Sequence, residues 1–124
     1  MRGLGSMWLM VIGLMLSTVI RADPPLGAQA EISFLLTEVA KSDCKFYRNG
    51  KWYDGKRAAA HLRDKYGSRL DARGTSSAEE FIETVATRSS LSGKAYAIRC
   101  TGSTAVPSTM WFRERLAAYR QSLK

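Results

Sequence analysis

An uncharged apolar run at residues 7–20 most constrains this chain, because it separates a short leading segment from the part that can fold. A helix needs about 20 apolar residues to cross the hydrocarbon core of a bilayer. The run is shorter than that, follows Arg2 and ends at Arg21, an order typical of a secretion signal peptide. The sequence therefore predicts a signal peptide at residues 1–22 and one domain at residues 23–124. An uncleaved membrane anchor is the alternative.

Cleavage of this signal peptide is predicted after Ala22, close behind the apolar run. Cleavage after Ala30 is the alternative, since residues 28–30 match the small-x-small pattern better but lie farther away. Either way we expect an exported, periplasmic protein that is soluble after cleavage. Loss of residues 1–22 removes two of the 19 basic residues and none of the 11 acidic ones, which leaves a net charge of +6.

The basic charge of the domain favours acidic partners. We expect an acidic envelope protein, a glycan or an anionic lipid surface, and export makes nucleic acid the least favoured partner. The alternative is that the charge only keeps a small protein soluble. Neither the partner nor the oligomeric state follows from the sequence.

Two cysteines, Cys44 and Cys100, lie in the predicted domain. Two thiols in an exported chain predict one disulfide, which would stabilise a domain of this size by up to about 4 kcal/mol. A redox-active or nucleophilic cysteine is the alternative, but neither residue belongs to a C-x-x-C motif.

Hydrophobic periodicity predicts four helices and three strands. In chain order these are a helix at 31–42, a hairpin at 44–53, a helix at 54–66 ended by Gly67, a helix from 76 or 77 to 88, a strand at 94–100 and a helix at 108–124. Asn49-Gly50 is typical of a type I′ hairpin turn. Alternation places Phe46, Tyr96, Ile98 and both cysteines on one sheet face. The predicted fold class is therefore α+β, with a small antiparallel sheet (hairpin plus one strand) packed against about four helices.

Four short motifs occur in order along the chain: FYRNG at 46–50, AHL at 60–62, AEEFI at 78–82, and SSLSGK at 89–94 followed by Tyr96. This series resembles the YfeK-like family of small exported bacterial proteins, which share a domain of unknown function. The resemblance spans residues 31–120 and implies a bacterial envelope protein. It implies no activity and no cofactor.

The tip of the predicted hairpin is a candidate binding surface. Arg48 beside the rigid turn at Asn49 could clamp an anion, and the aromatic Trp52 follows closely. The alternative is that Asn49 simply makes the turn while Trp52 packs. A second candidate is the loop after the third helix, where hydroxyls and cations surround a glycine: Arg88, Ser90, Ser92 and Lys94. The alternative there is an ordinary helix-to-strand turn.

His61, the only histidine, is a further candidate binding residue and could also act as a general base or a pH sensor. A hydrolase would need it to activate a serine of the 89–92 loop. The alternative is a structural hydrogen bond at the flank of the helix. We predict no catalytic residue and no cofactor. We also predict no metal site, because one histidine and two cysteines on separate elements do not form a usual zinc set.

Three functional hypotheses follow from these patterns. The leading one is a non-enzymatic binding or accessory module for an acidic envelope partner. The second is a small hydrolase-like enzyme that uses His61 and a loop serine. The third is a purely structural or stress-related accessory protein without a dedicated ligand site.

Overall fold

A computed structural model describes residues 24–72 and 74–124, together with Gly3, Gly5 and Gly13. The predicted signal peptide, apart from those glycines, lies outside the described residues. The described chain forms four helices and four strands in the order α1 Leu26–Lys41, β1 Lys45–Arg48, β2 Lys51–Tyr53, α2 Gly55–Ala72, α3 Ala78–Thr84, β3 Ala97–Arg99, β4 Val106–Pro107 and α4 Ser108–Ser122. The predicted α+β class is confirmed.

The antiparallel sheet has the strand order β2–β1–β3–β4. Asn49 and Gly50 have φ angles of 49° and 86°, so both turn residues are left-handed as a type I′ hairpin requires. Phe46 lies opposite Tyr53 on one side and Ile98 on the other. The predicted single strand therefore joins the hairpin at β1, and Cys44 forms a disulfide with Cys100 just beyond this pairing.

A fourth strand, β4, was not predicted and lies between the predicted strand at 94–100 and the predicted helix at 108–124. Its Val106 pairs with Ile98 of β3. Two residues carry no period-two pattern, and Pro107 is a residue that sheets accept only at an edge. This strand therefore depends on its partner rather than on a signal of its own.

The first helix begins at Leu26, five residues before the predicted start. Pro25 precedes it, and proline suits a helix start because it lacks the N–H that would be unpaired there. The side chain of Gln29 donates to the carbonyl of Pro24 at 2.6 Å, and Ala28 is buried. These contacts extend the helix beyond its apolar stripe.

The prediction that Gly67 ends the second helix is wrong, because α2 continues to Ala72. Leu62 and Leu70 are both buried, so the apolar stripe extends past the glycine and outweighs its cost of about 1 kcal/mol. Gly74, with φ of 75°, follows the helix and its N–H donates to the carbonyl of Arg69 at 3.0 Å.

The third helix is shorter than predicted and ends at Thr84 rather than near Arg88. Its predicted start is confirmed, since the Ser77 hydroxyl accepts from the N–H of Glu80 at 3.1 Å. After Thr84 the chain turns toward the sheet. The carbonyl of Ala86 accepts from the Ser108 hydroxyl, and Arg88 pairs with Ala95 in an isolated bridge.

Helices α2 and α4 pack on the sheet face that carries Phe46 and Ile98, and α1 packs on both helices. The first turn of α2 lies directly against the end of α1. A Cβ at Gly55 would lie 2.2 Å from the carbonyl oxygen of Val39. This close approach requires glycine and sets where α2 crosses the hairpin.

Candidate anion-binding site

Arg48 ends β1 and lies on the same sheet face as Phe46, two residues earlier, so its side chain meets α2. Its Nη1 lies 2.6 Å from Nδ1 and 3.1 Å from Nε2 of His61. A guanidinium only donates hydrogen bonds, so the imidazole accepts and is neutral. With Nδ1 as the acceptor, Nε2 carries the proton and donates to the Tyr96 hydroxyl at 3.2 Å.

Lys65 lies one helical turn after His61 on α2, so the two side chains share a face of the helix. Its ammonium donates to the carbonyl of Arg88 at 2.6 Å and to the Tyr96 hydroxyl at 3.3 Å. Arg48, His61, Lys65 and Tyr96 thus form one continuous group between the sheet and α2, called here the cationic cluster.

Burial shifts the titration of this cluster. It is the main reason why the pKa of Lys65 is lowered to about 8, with repulsion by Arg48 as the second cause. Burial also lowers the pKa of His61, helped by the charges of Arg48 and Lys65 and opposed by Asp64. It raises the pKa of Tyr96. Near neutral pH the cluster therefore holds two cations, a neutral imidazole and a protonated phenol.

No carboxylate forms an ion pair with Arg48 or Lys65 within residues 24–72 and 74–124. The ion pairs found there involve other cations, namely Lys41, Arg69, Arg113, Arg115 and Arg120. Bringing two partly desolvated cations together without a counter-charge costs free energy. An anion placed between them would reduce that cost, so the arrangement suits an anionic group.

A pocket of about 40 Å³ lies beside Arg48 and His61. Its walls are mostly apolar and include Phe46, Ala58, Leu62, Ala86 and Phe112. Ser108 also lines the pocket, and its hydroxyl already donates a hydrogen bond to the carbonyl of Ala86. The cationic cluster thus lies next to a small apolar cavity.

Asn49 connects the hairpin tip to the 89–92 loop through two hydrogen bonds. Its Nδ2 donates to the Ser89 hydroxyl at 3.1 Å, and its Oδ1 accepts from the Ser92 hydroxyl at 2.6 Å. The Ser89 hydroxyl also accepts from the backbone of Leu91 and Ser92. Asn49 and Ser92 therefore stabilise the loop with the groups that the sequence offered for a ligand.

The other candidate residues of this loop are not among the four that form the cationic cluster. Arg88, Ser90 and Lys94 are exposed, and Arg88 reaches the cluster through its backbone carbonyl. The backbone of Lys94 closes the turn by accepting from the N–H of Ser89 at 2.9 Å. The loop is an ordered helix-to-strand turn with exposed cations at its sides.

Trp52 lies on the opposite sheet face from Arg48, because it pairs with Tyr47 rather than with an even-numbered residue of β1. Its indole is 39% exposed, contacts Tyr47 and has the guanidinium of Arg99 4.5 Å from its ring centre. The structure thus separates two residues that sequence reasoning placed on one surface.

His61 hydrogen-bonds Arg48 and Tyr96, and within the two described ranges no hydrogen bond joins it to a serine hydroxyl. His61 therefore forms hydrogen bonds at the flank of α2, as the structural alternative predicted, and these bonds make it part of the cationic cluster. Asp43 lies close to Cys44 and Cys100, a grouping that could attract a metal. The two sulfurs are bonded to each other and so are not available as thiolate ligands.

Sequence reasoning missed Lys65 and Tyr96 as members of the site. The helical spacing between His61 and Lys65 was a signal that could have found the lysine. Tyr96 was predicted for the core face of its strand and is indeed buried, but its hydroxyl reaches both His61 and Lys65.

The fold and this site define a small α+β domain with a partly buried cationic cluster between its sheet and second helix. The chain belongs to the family of unknown function DUF5329, which matches residues 27–120. It is also 37% identical over 87 residues to the uncharacterized protein YfeK of Salmonella typhimurium strain LT2, across 69% of this chain and 71% of that protein. The resemblance noted in the sequence is confirmed. No solved structure matches the chain.

None of the helices in the described residues has the length and apolar character that spanning a membrane requires.

Proposed function

We propose that this chain is a non-enzymatic binding module whose cationic cluster takes an anionic group of an acidic partner. One observation carries the proposal: Arg48 and Lys65 lie on either side of His61 and Tyr96, partly buried, with no ion-paired carboxylate in the described residues. Charge-assisted hydrogen bonds from such donors are about twice as strong as neutral ones. A cluster that only stabilised the fold would be expected to contain its own acidic partner.

The proposed site differs from the surface that the sequence suggested. Arg48 stays central, because its guanidinium faces α2 and the pocket. Asn49 and Ser92 serve the loop that borders the site, and Trp52 lies on the other sheet face. The binding surface is therefore the sheet-to-helix side of the hairpin rather than its tip.

Export to the bacterial envelope is part of this proposal. The apolar run at residues 7–20 supports it, and the described fold favours cleavage after Ala22. Cleavage after Ala30 would remove the first turn of α1 together with the buried Ala28 and Pro24. N-terminal sequencing of protein recovered from a periplasmic extract should begin at Asp23. A start at Glu31, or recovery only with the membrane fraction, would contradict this assignment.

Anion binding is tested with the full chain and two probes, sodium acetate and inorganic phosphate. Titration at neutral pH, followed by NMR, should shift the signals of His61, Lys65 and Tyr96 together. Arg48→Gln should weaken binding about tenfold, since it removes one charge-assisted donor pair. Arg113→Gln is the matched control, because Arg113 is exposed on α4 and loses the same charge.

Equal affinity of the Arg48→Gln and Arg113→Gln variants would overturn the proposal. So would shifts spread over all basic residues, because a general attraction of a basic protein for anions needs no site.

A further inference from the structure

The cationic cluster and the apolar pocket share three residues, Arg48, His61 and Tyr96. An anion held by the cluster therefore has one side against apolar walls rather than water. The ligand atom that is bonded to the anionic group therefore lies in this apolar environment. This inference rests on the proposed function and adds the chemical class of the ligand.

The chemistry next to the anion separates carboxylates from phosphates. In a phosphate ester the atom that links the anion to the rest of the ligand is an oxygen, which would lose hydrogen bonds beside Phe46 and Leu62. In a carboxylate the attached atom is carbon, which gains by leaving water. The apolar walls thus favour a carboxylate.

The size of the pocket limits the attached group. A dry cavity of about 150 Å³ accepts benzene. The pocket here, at about 40 Å³, has room for a methyl or an ethyl group but not for a ring. Phe112 and Leu62 are buried by the surrounding core, so the walls resist expansion.

We propose that the site binds a carboxylate that carries a short aliphatic group, with the carboxylate beside Arg48, where Lys65 adds to the positive charge, and the aliphatic group in the pocket. Two sources share this chemistry: a free short-chain acid, and the C-terminus of a peptide that ends in a small residue such as alanine. The specificity comes from the pocket, and the charge attraction comes from the cluster.

A size series of acids tests the proposal on the full chain. Affinity should increase about fourfold for each methylene buried from formate to acetate to propionate. Benzoate should bind no more tightly than acetate, although it is more apolar. Intermolecular nuclear Overhauser effects should connect the propionate methyl to the methyl groups of Leu62. N-acetylalanine at least as tight as propionate would support a peptide C-terminus, and weaker binding would support a free acid.

Ala58→Leu is the variant that isolates the pocket, since Ala58 is a wall residue on α2 with only 9% exposure. It should remove the gain in affinity from formate to propionate. If the variant fails to fold, the size series and the Overhauser effects of the natural chain still decide. Formate binding with no gain on adding methylenes would overturn this inference and leave the proposed function intact. Absence of binding by every acid, formate included, and by inorganic phosphate would overturn both.

Discussion

Arg48 and Arg120 each connect two elements, yet their surroundings are opposite in charge. Arg120 of α4 donates to both carboxylate oxygens of Glu31 on α1, at 2.5 and 3.0 Å, and contacts Glu79 of α3 at 2.5 Å. Arg48 meets a neutral imidazole and the ring of Tyr53, with a second cation, Lys65, nearby. Arg120, Glu31 and Glu79 are called here the Arg120 clasp.

The comparison teaches how to distinguish a structural arginine from a candidate binding arginine in one small domain. In the Arg120 clasp the charges are satisfied within the chain, and hydrogen bonding to Arg120 lowers the pKa of Glu79. In the cationic cluster burial lowers the pKa of Lys65 instead, followed by repulsion from Arg48, and no ion-paired carboxylate among the described residues opposes this shift. The first arrangement stabilises helix packing, whereas the second is the one to which we propose that an external anion binds.

The largest effect is expected from a change that disturbs both regions together. Gly55→Ala places a methyl 2.2 Å from the Val39 carbonyl oxygen, which forces α1 and α2 apart. Glu31 of the Arg120 clasp lies on α1, and His61 of the cationic cluster lies on α2. Overpacking of this kind should lower the free energy of unfolding by about 2–3 kcal/mol, measured by urea denaturation. Gly67→Ala is the control in the same helix, since nothing lies within 4 Å of its added Cβ. It should stabilise by about 0.5–1 kcal/mol, and equal effects of the two variants would contradict the close packing at Gly55.

The second largest effect is a difference in folding stability between variants of Arg120 and Arg48. Arg120→Gln should lower the free energy of unfolding by about 1 kcal/mol, because it breaks a two-carboxylate contact that is partly screened by solvent. Arg48→Gln should change it by less than about 0.5 kcal/mol, since relief of repulsion offsets the lost hydrogen bond. Urea denaturation at low ionic strength measures both. If Arg48→Gln lowers the free energy of unfolding as much as Arg120→Gln does, Arg48 has a structural role and the contrast between the two arginines is wrong.

A smaller effect appears in the pH dependence of anion binding, with sulfate as a probe of constant charge. Lys65 is positive below its pKa of about 8 and neutral above it, so sulfate affinity should fall about three- to tenfold as pH rises through that value. It should rise again in acid, where His61 protonates below its ordinary pKa. Lys65→Met should abolish the step near pH 8. A step that persists in this variant would mean that another group controls binding.

The smallest effect concerns the phenol that joins the cluster. Tyr96→Phe removes a hydroxyl that contacts His61 and Lys65 at 3.2 and 3.3 Å. These are long hydrogen bonds, so anion affinity should fall only about twofold, with the ring still packed. Tyr119→Phe is the matched control, because Tyr119 of α4 stacks on Phe34 away from the pocket-lining residues, and it should leave the affinity unchanged. A large loss of folding stability in Tyr96→Phe would instead assign the hydroxyl a structural role.

The candidate site was only partly predictable from the sequence. Arg48 and His61 were both singled out as candidate binding residues, but from separate patterns, and Lys65 and Tyr96 were missed. The four residues come from β1, from α2 and from the residue before β3, and only the packing of α2 against the sheet brings them together. Trp52 shows the reverse case, since it lies near Arg48 in sequence but on the other face of the sheet.

The sequence by itself determined the local features of this protein, because their causes lie within a few residues. Asn49-Gly50 adopts the positive φ angles of a tight turn, Ser77 caps α3, and the alternation of Phe46 and Ile98 identified the buried sheet face. These signals were sufficient for the α+β class.

Only the tertiary structure decided the features that depend on distant partners. β4 exists because Val106 pairs with Ile98, and α2 passes through Gly67 because Leu70 finds a place in the core. The cationic cluster, which has no ion-paired carboxylate among the described residues, also depends on distant partners. A sequence contains the charges, but the distances between them, and the water excluded around them, arise only when the helices and the sheet pack together.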